Sequence, residues 1–186
     1  MRFGPPRAAV CSDDTAPCGA RGSARTKAGG LVFDLVLLPE GLTGFRSRLD
    51  GPGNGVDLRD VTALAHLAAR LSGGRVATVS AASTTPNFHS AMIITGDQAS
   101  WIIVNQIHPL VAAATSISMG TMRFIDGTEH LNHAVALTPP FRLLSALELS
   151  HPVTEHDLVN LSPTEQAQLH YWQPERVGDL IFNYWD

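Results

Sequence analysis

The sequence predicts a single α+β domain, a mainly antiparallel sheet of about five strands packed against helices, behind a disordered N-terminal leader. Three observations predict it. The chain has 186 residues, 44% hydrophobic and 16% charged, a balance that suits one buried core and is short for two. Apolar residues recur at helical spacing early and late in the chain, with strand-like runs between. Two of those runs flank Gly96-Asp97-Gln98-Ala99-Ser100, a connection of hairpin length that sets its strands antiparallel.

Residues 1–30 hold five glycines and three prolines and show no apolar periodicity, so they cannot bury enough surface to offset ordering entropy. They also contain Cys11, Cys18 and the only lysine, Lys27. We expect this leader to be disordered and dispensable for folding, with Val32 as a candidate alternative start of the native protein. The domain is then 31–186. It opens with a strand, Leu31–Leu38, apolar on both faces apart from Asp34, which suits the middle of a sheet. Pro39 and Gly41 end it, and a glycine-rich connection leads to Gly55.

A helix is expected over Leu58–Ser72, with Asp57 as N-cap, Asp60 in the first turn and Gly73-Gly74 as the stop. Leu58, Val61, Leu64, Ala65, Ala68 and Leu71 share its inner face, and His66 points away from them. Strands follow over Arg75–Ala81, Ser90–Thr95 and Trp101–Ile107, and Pro109 ends the last. Met122–Ile125 reads as a further short strand. Gly127–Leu137 reads as a helix capped by Asp126 with Glu129, closed by Pro139-Pro140. We expect a strand to begin at Phe141 within 141–149. The last third is helical, with caps at Thr154/Asp157 and at Ser162-Pro163-Thr164-Glu165. Val177, Leu180, Ile181 and Tyr184 have the spacing of a final helix, which Gly178 weakens.

Charge divides the chain. The leader carries five basic and two acidic side chains, a net of +3, against −4 for the whole, so residues 31–186 carry −7. Six acids and one arginine fall in 151–186. Acidic surface repels phosphate backbones, which disfavours nucleic acid as a partner. The longest apolar runs are far short of the ~20 residues of a membrane span, and the opening lacks the apolar stretch of a secretory signal. We expect a cytoplasmic protein. With no cysteine after Cys18, disulfides and thiolate metal cages cannot stabilise the domain, and no cofactor is expected.

Three groups of residues carry candidate chemistry. In the polar segment 83–90, His89 is a candidate general base with Asn87 beside it, and His108 stands at a strand end. Glu129, His130 and His133 sit three and four apart on one short helix, the spacing that lets neighbouring turns share a metal ion. Neither group forms a strong catalytic or metal motif. The third group is the acidic, aromatic C-terminus: Glu155, Asp157, Glu165, Trp172, Tyr184 and Trp185, which combine negative charge with interface-type aromatic anchors. From these we expect a non-catalytic binding module for a basic protein, of the kind a cytoplasmic immunity protein exemplifies. The alternative is a small hydrolase or metal-dependent enzyme using the 83–90 loop or the 129–133 helix.

Overall fold

In a computed structural model, which describes residues 38–45, 55–118 and 121–185, the first regular element is helix α1, Leu58–Leu71. Its expected cap forms: the Asp57 carboxylate accepts from the Arg59 amide at 2.8 Å. The helix ends where Gly73 turns left-handed at φ +67°, a conformation glycine adopts without strain. Val61, Leu64, Ala65 and Ala68 are buried beneath it, and His66 is exposed. The leader, Asp34, the expected strand up to Leu37 and the middle of the glycine-rich connection lie outside the described residues. Leu38, the last residue of that strand, is buried.

The sheet contains β1 (Arg75–Ser80), β2 (Phe88–Thr95), β3 (Gln98–Asn105), β4 (Leu110–Ser118), β5 (Thr121–Ile125) and the two-residue β6 (Arg142–Leu143). Strands β1 to β5 lie side by side in chain order, each antiparallel to the next. Strand β6 runs parallel to the start of β4, on the edge β4 also shares with β5. The β2–β3 ladder is unbroken from Phe88↔Asn105 to Thr95↔Gln98, so only Gly96 and Asp97 make the turn, tighter than the sequence suggested. Strand β4 was not expected at all. Its Ala112-Ala113-Ala114 run has little strand propensity, and only its partners β3, β5 and β6 make it extended.

Helices cover both faces of this sheet. Ile93, Ile102, Val104, Val111 and Ala113 pack with α1 and with α2 (Glu129–Ala136). Phe88, Ile103, Ala112 and Met122 pack on the other face with Leu38, Leu42 and the C-terminal helices. These are α3 (Ala146–Ser150), α4 (Pro163–Trp172) and α5 (Val177–Ile181), with a 3-10 turn at Glu155–Leu158. Burial on both faces explains why residues 101–104 are apolar without alternation.

Three expectations need correction. Thr128, not Asp126, caps α2, its hydroxyl accepting from the Leu131 amide at 3.2 Å, while Asp126 accepts from Ala146. Only Arg142 and Leu143 of 141–149 form a strand, because Ser145 and Glu148 close a capping box that starts α3. The last helix stops at Ile181, and Tyr184 lies beyond it, outside any helix or strand.

Candidate functional site

His89 emerges from β2 on the α1 face, where its partner across the ladder is Val104. It is only 7% exposed, and both ring nitrogens have backbone partners. The Val56 carbonyl can only accept, so Nε2 carries the proton and donates to it at 3.1 Å. Nδ1 is then the acceptor for the Ala82 amide, also at 3.1 Å. Burial holds the His89 pKa below its ordinary 6.5, against the opposing pull of the Val56 carbonyl and the Asp57 charge. With both nitrogens engaged, the ring fastens the chain before α1 to the loop after β1 and has no lone pair left for a substrate.

Asn87 belongs to a buried amide cluster with Asn105 and Asn183. The Asn87 side chain donates to the Thr43 carbonyl at 3.1 Å and accepts from the Asn183 amide at 2.8 Å. Asn105 donates to the Leu42 and Ile181 carbonyls at 2.9 and 2.7 Å. Asn183 donates to Thr43 and Leu180. Three chain segments far apart in sequence are thereby tied together, each amide satisfied internally. His108 has a separate partner, its Nε2 2.9 Å from the Glu40 carbonyl. The structure does not unite His89, Asn87 and His108 around a common point.

Glu129, His130 and His133 are exposed on the outer face of α2, while Leu131, Ala134 and Val135 face the core. Among the described residues, no three His, Cys, Asp or Glu side chains are grouped as a metal ion would need.

The C-terminal group divides. Glu155 is exposed, as expected. Asp157 and Glu165 are not surface charges: they are 2% and 0% exposed, each closing the capping box of its own turn. Thr154 donates to Asp157 through both its amide and its hydroxyl. The aromatics pack inward. Tyr184 meets Phe88 edge-on, with ring centroids 5.3 Å apart, and burial pushes its phenol pKa up. Trp185 lies parallel to Trp172, with centroids 6.2 Å apart. These rings dock the tail onto its own domain, while Trp172, Tyr184 and Trp185 each stay partly exposed.

A concave surface forms instead between the 3-10 turn and α4. Gln166, Leu169, His170 and Gln173 have i, i+3, i+4, i+7 spacing and so share one face of α4. Across from them stand Val153, Leu158 and Val159, and together they bound an open groove of about 540 Å³. Gln173, at φ +47°, ends α4 and turns Pro174 into the same wall. Glu155 lines the rim. Glu175 is exposed beside it, its carbonyl accepting from the Val153 amide at 3.1 Å. The nearby Arg176 is held by Asp179 through two 2.8 Å hydrogen bonds, which stabilise the cation and offset its charge. The sequence held one signal of this groove, the 166/169/170/173 stripe. Only Leu169 in it is apolar, so the stripe reads as solvated helix.

No family model, curated protein or solved structure matches this chain.

Proposed function

We propose that this chain is a non-catalytic binding module whose acidic surface engages a basic protein, as an immunity protein engages a cationic toxin. The observation that carries this reading is the charge exposed once internal carboxylates and ion pairs are set aside. Among the described residues, Glu40, Asp57, Asp60, Asp97, Asp126, Glu129, Glu155 and Glu175 are exposed acids. Only four arginines, Arg59, Arg70, Arg75 and Arg123, are equally exposed, and Arg142 is paired with Glu148 at 2.7 Å. Such a field speeds encounter with a cation-rich partner and repels nucleic acid. The engagement of both His89 nitrogens favours a binding role over general-base chemistry at that position.

Affinity capture from the native host with the full chain, followed by kinetics on the purified partner, tests the proposal. We expect a partner of net positive charge whose association rate falls about tenfold or more between low and physiological salt. A neutral or acidic partner, or an association rate indifferent to salt, overturns it.

A further inference from the structure

We propose that the groove between the 3-10 turn and α4 is where the partner docks, and that its occupant is a basic amphipathic segment. Apolar side chains of that segment would sit against Val153, Leu158 and Val159, with lysines or arginines reaching Glu155 and Glu175. This inference rests on the binding-module reading and adds the surface and the chemistry of what it takes.

Three observations converge on the groove. Its wall includes Val159, a β-branched side chain left 67% exposed beside the partly buried Val153 and Leu158. An uncovered apolar wall of this kind gains from a partner that removes it from water. The groove is also open to solvent, which suits a protein segment laid across α4 better than an enclosed small ligand. Finally, among the described residues, the charge at the groove and beside it is negative. Glu155 and Glu175 are exposed, Asp157 and Glu165 are consumed inside the fold, and Arg176 is already paired with Asp179. Among the described residues, His170 is the only titratable base in the wall. The same negative rim repels an anionic lipid surface, so a basic protein segment is the occupant the charges favour.

The test uses the full chain and three labelled synthetic peptides of equal length: one of lysine and leucine in helical amphipathic order, one of lysine and serine, and one of glutamate and leucine. We expect the lysine–leucine peptide to bind saturably and about tenfold more tightly than either control, a difference worth roughly 1.4 kcal/mol. Val159→Ser and Glu155→Lys should each weaken it about fivefold or more. Gln98→Ala, an exposed uncharged side chain beside the β2–β3 turn, should leave it unchanged. Amide shifts on titration should centre on Val153, Val159 and His170. Both Val159 and Glu155 are exposed, so these variants keep the melting temperature and a lost affinity is not lost folding. Equal binding of the lysine–serine peptide, or indifference to Val159→Ser and Glu155→Lys, overturns the groove. The natural partner separates the two proposals. If it is basic and salt-sensitive yet binds both variants normally, the module reading stands and the groove falls. If it is acidic, the module reading falls whatever the peptides do.

Discussion

The Glu165 carboxylate is fully buried and accepts five hydrogen bonds, and the donors decide its charge. Two come from Ser162 in its own capping box, at 3.0 Å each. Three come from 122 or more residues away: the Gly41 amide at 3.0 Å, the Thr43 amide at 3.1 Å and the Thr43 hydroxyl at 2.9 Å. Burial alone pushes this carboxyl up, but the hydrogen bonds from Gly41, Ser162 and Thr43 outweigh it and hold the pKa below the ordinary 4.5. A carboxyl more acidic in the folded than in the unfolded chain binds fewer protons when folded. Its stabilisation is therefore present above pH 4.5 and is lost as pH falls from there through the folded value. Glu165→Gln turns an amide toward donors that need an acceptor, and should cost about 2–4 kcal/mol at neutral pH. The gap between wild type and variant should narrow below pH 4.5, which urea titrations across that range would measure. A gap that stays constant with pH would show Glu165 to be protonated in the fold. The sequence reveals the Ser162–Glu165 box because its partners are three residues apart. Nothing local reveals Gly41 and Thr43, and so an internal anchor reads as a surface charge.

Helix α5 shows how a residue that weakens an element locally can be required by packing. A Cβ on Gly178 would stand 2.6 Å from the Phe124 ring and 2.9 Å from the Leu149 carbonyl, so α5 crosses β5 and α3 too closely for any side chain. Gly178→Ala should raise helix propensity yet lower stability by about 1–3 kcal/mol through overpacking. A melting temperature that falls by roughly 2–4 °C per kcal/mol is the expected readout. An unchanged or higher one would mean α5 can shift outward at no cost. The same tension between local and distant terms separates the legible elements from the missed ones. Helix α1 carries its own cap, stripe and stop between Asp57 and Gly74, and its bounds follow from them. Strand β4 carries almost nothing of its own: three consecutive alanines are extended because β3 holds one side and β5 and β6 the other. The groove is illegible for a related reason. Its two walls come from separate elements, and the polar members of the α4 stripe look like ordinary solvated helix until Val153 and Leu158 stand opposite them.

At the scale of the whole molecule, the last residues act as a clasp. Asn183 receives from and gives to Asn87 across 96 residues and donates to Thr43 across 140, while Asn105 reaches Leu42 and Ile181 from β3. The beginning of the described chain, the centre of the sheet and the C-terminus are thus joined through buried amides rather than through a disulfide, which the cysteine-free body cannot form. Deleting residues 183–186 strips the Asn87 amide and side-chain oxygen of their partners, exposes Phe88 by removing Tyr184, and takes Trp185 from Trp172. Each buried polar group left unpaired costs about 1–3 kcal/mol, and each lost aromatic pair about 0.5–1.5 kcal/mol beyond its buried area. The sum approaches the whole stability of a domain, commonly about 5–15 kcal/mol, so the truncated chain should be largely unfolded near body temperature. Hydrogen exchange should show protection lost at Thr43 and Gln106 as well as at the new terminus, because the Gln106 amide is bonded to the Asn87 carbonyl at 2.9 Å. Trp185→Ala provides the milder version, in which the amide cluster keeps its partners and only the ring stack is lost. It should lower the melting temperature while leaving partner binding intact, since the tail is spent on the fold. The opposite result, unchanged melting and lost binding, would return Trp185 to the interface and move the docking surface away from the α4 groove.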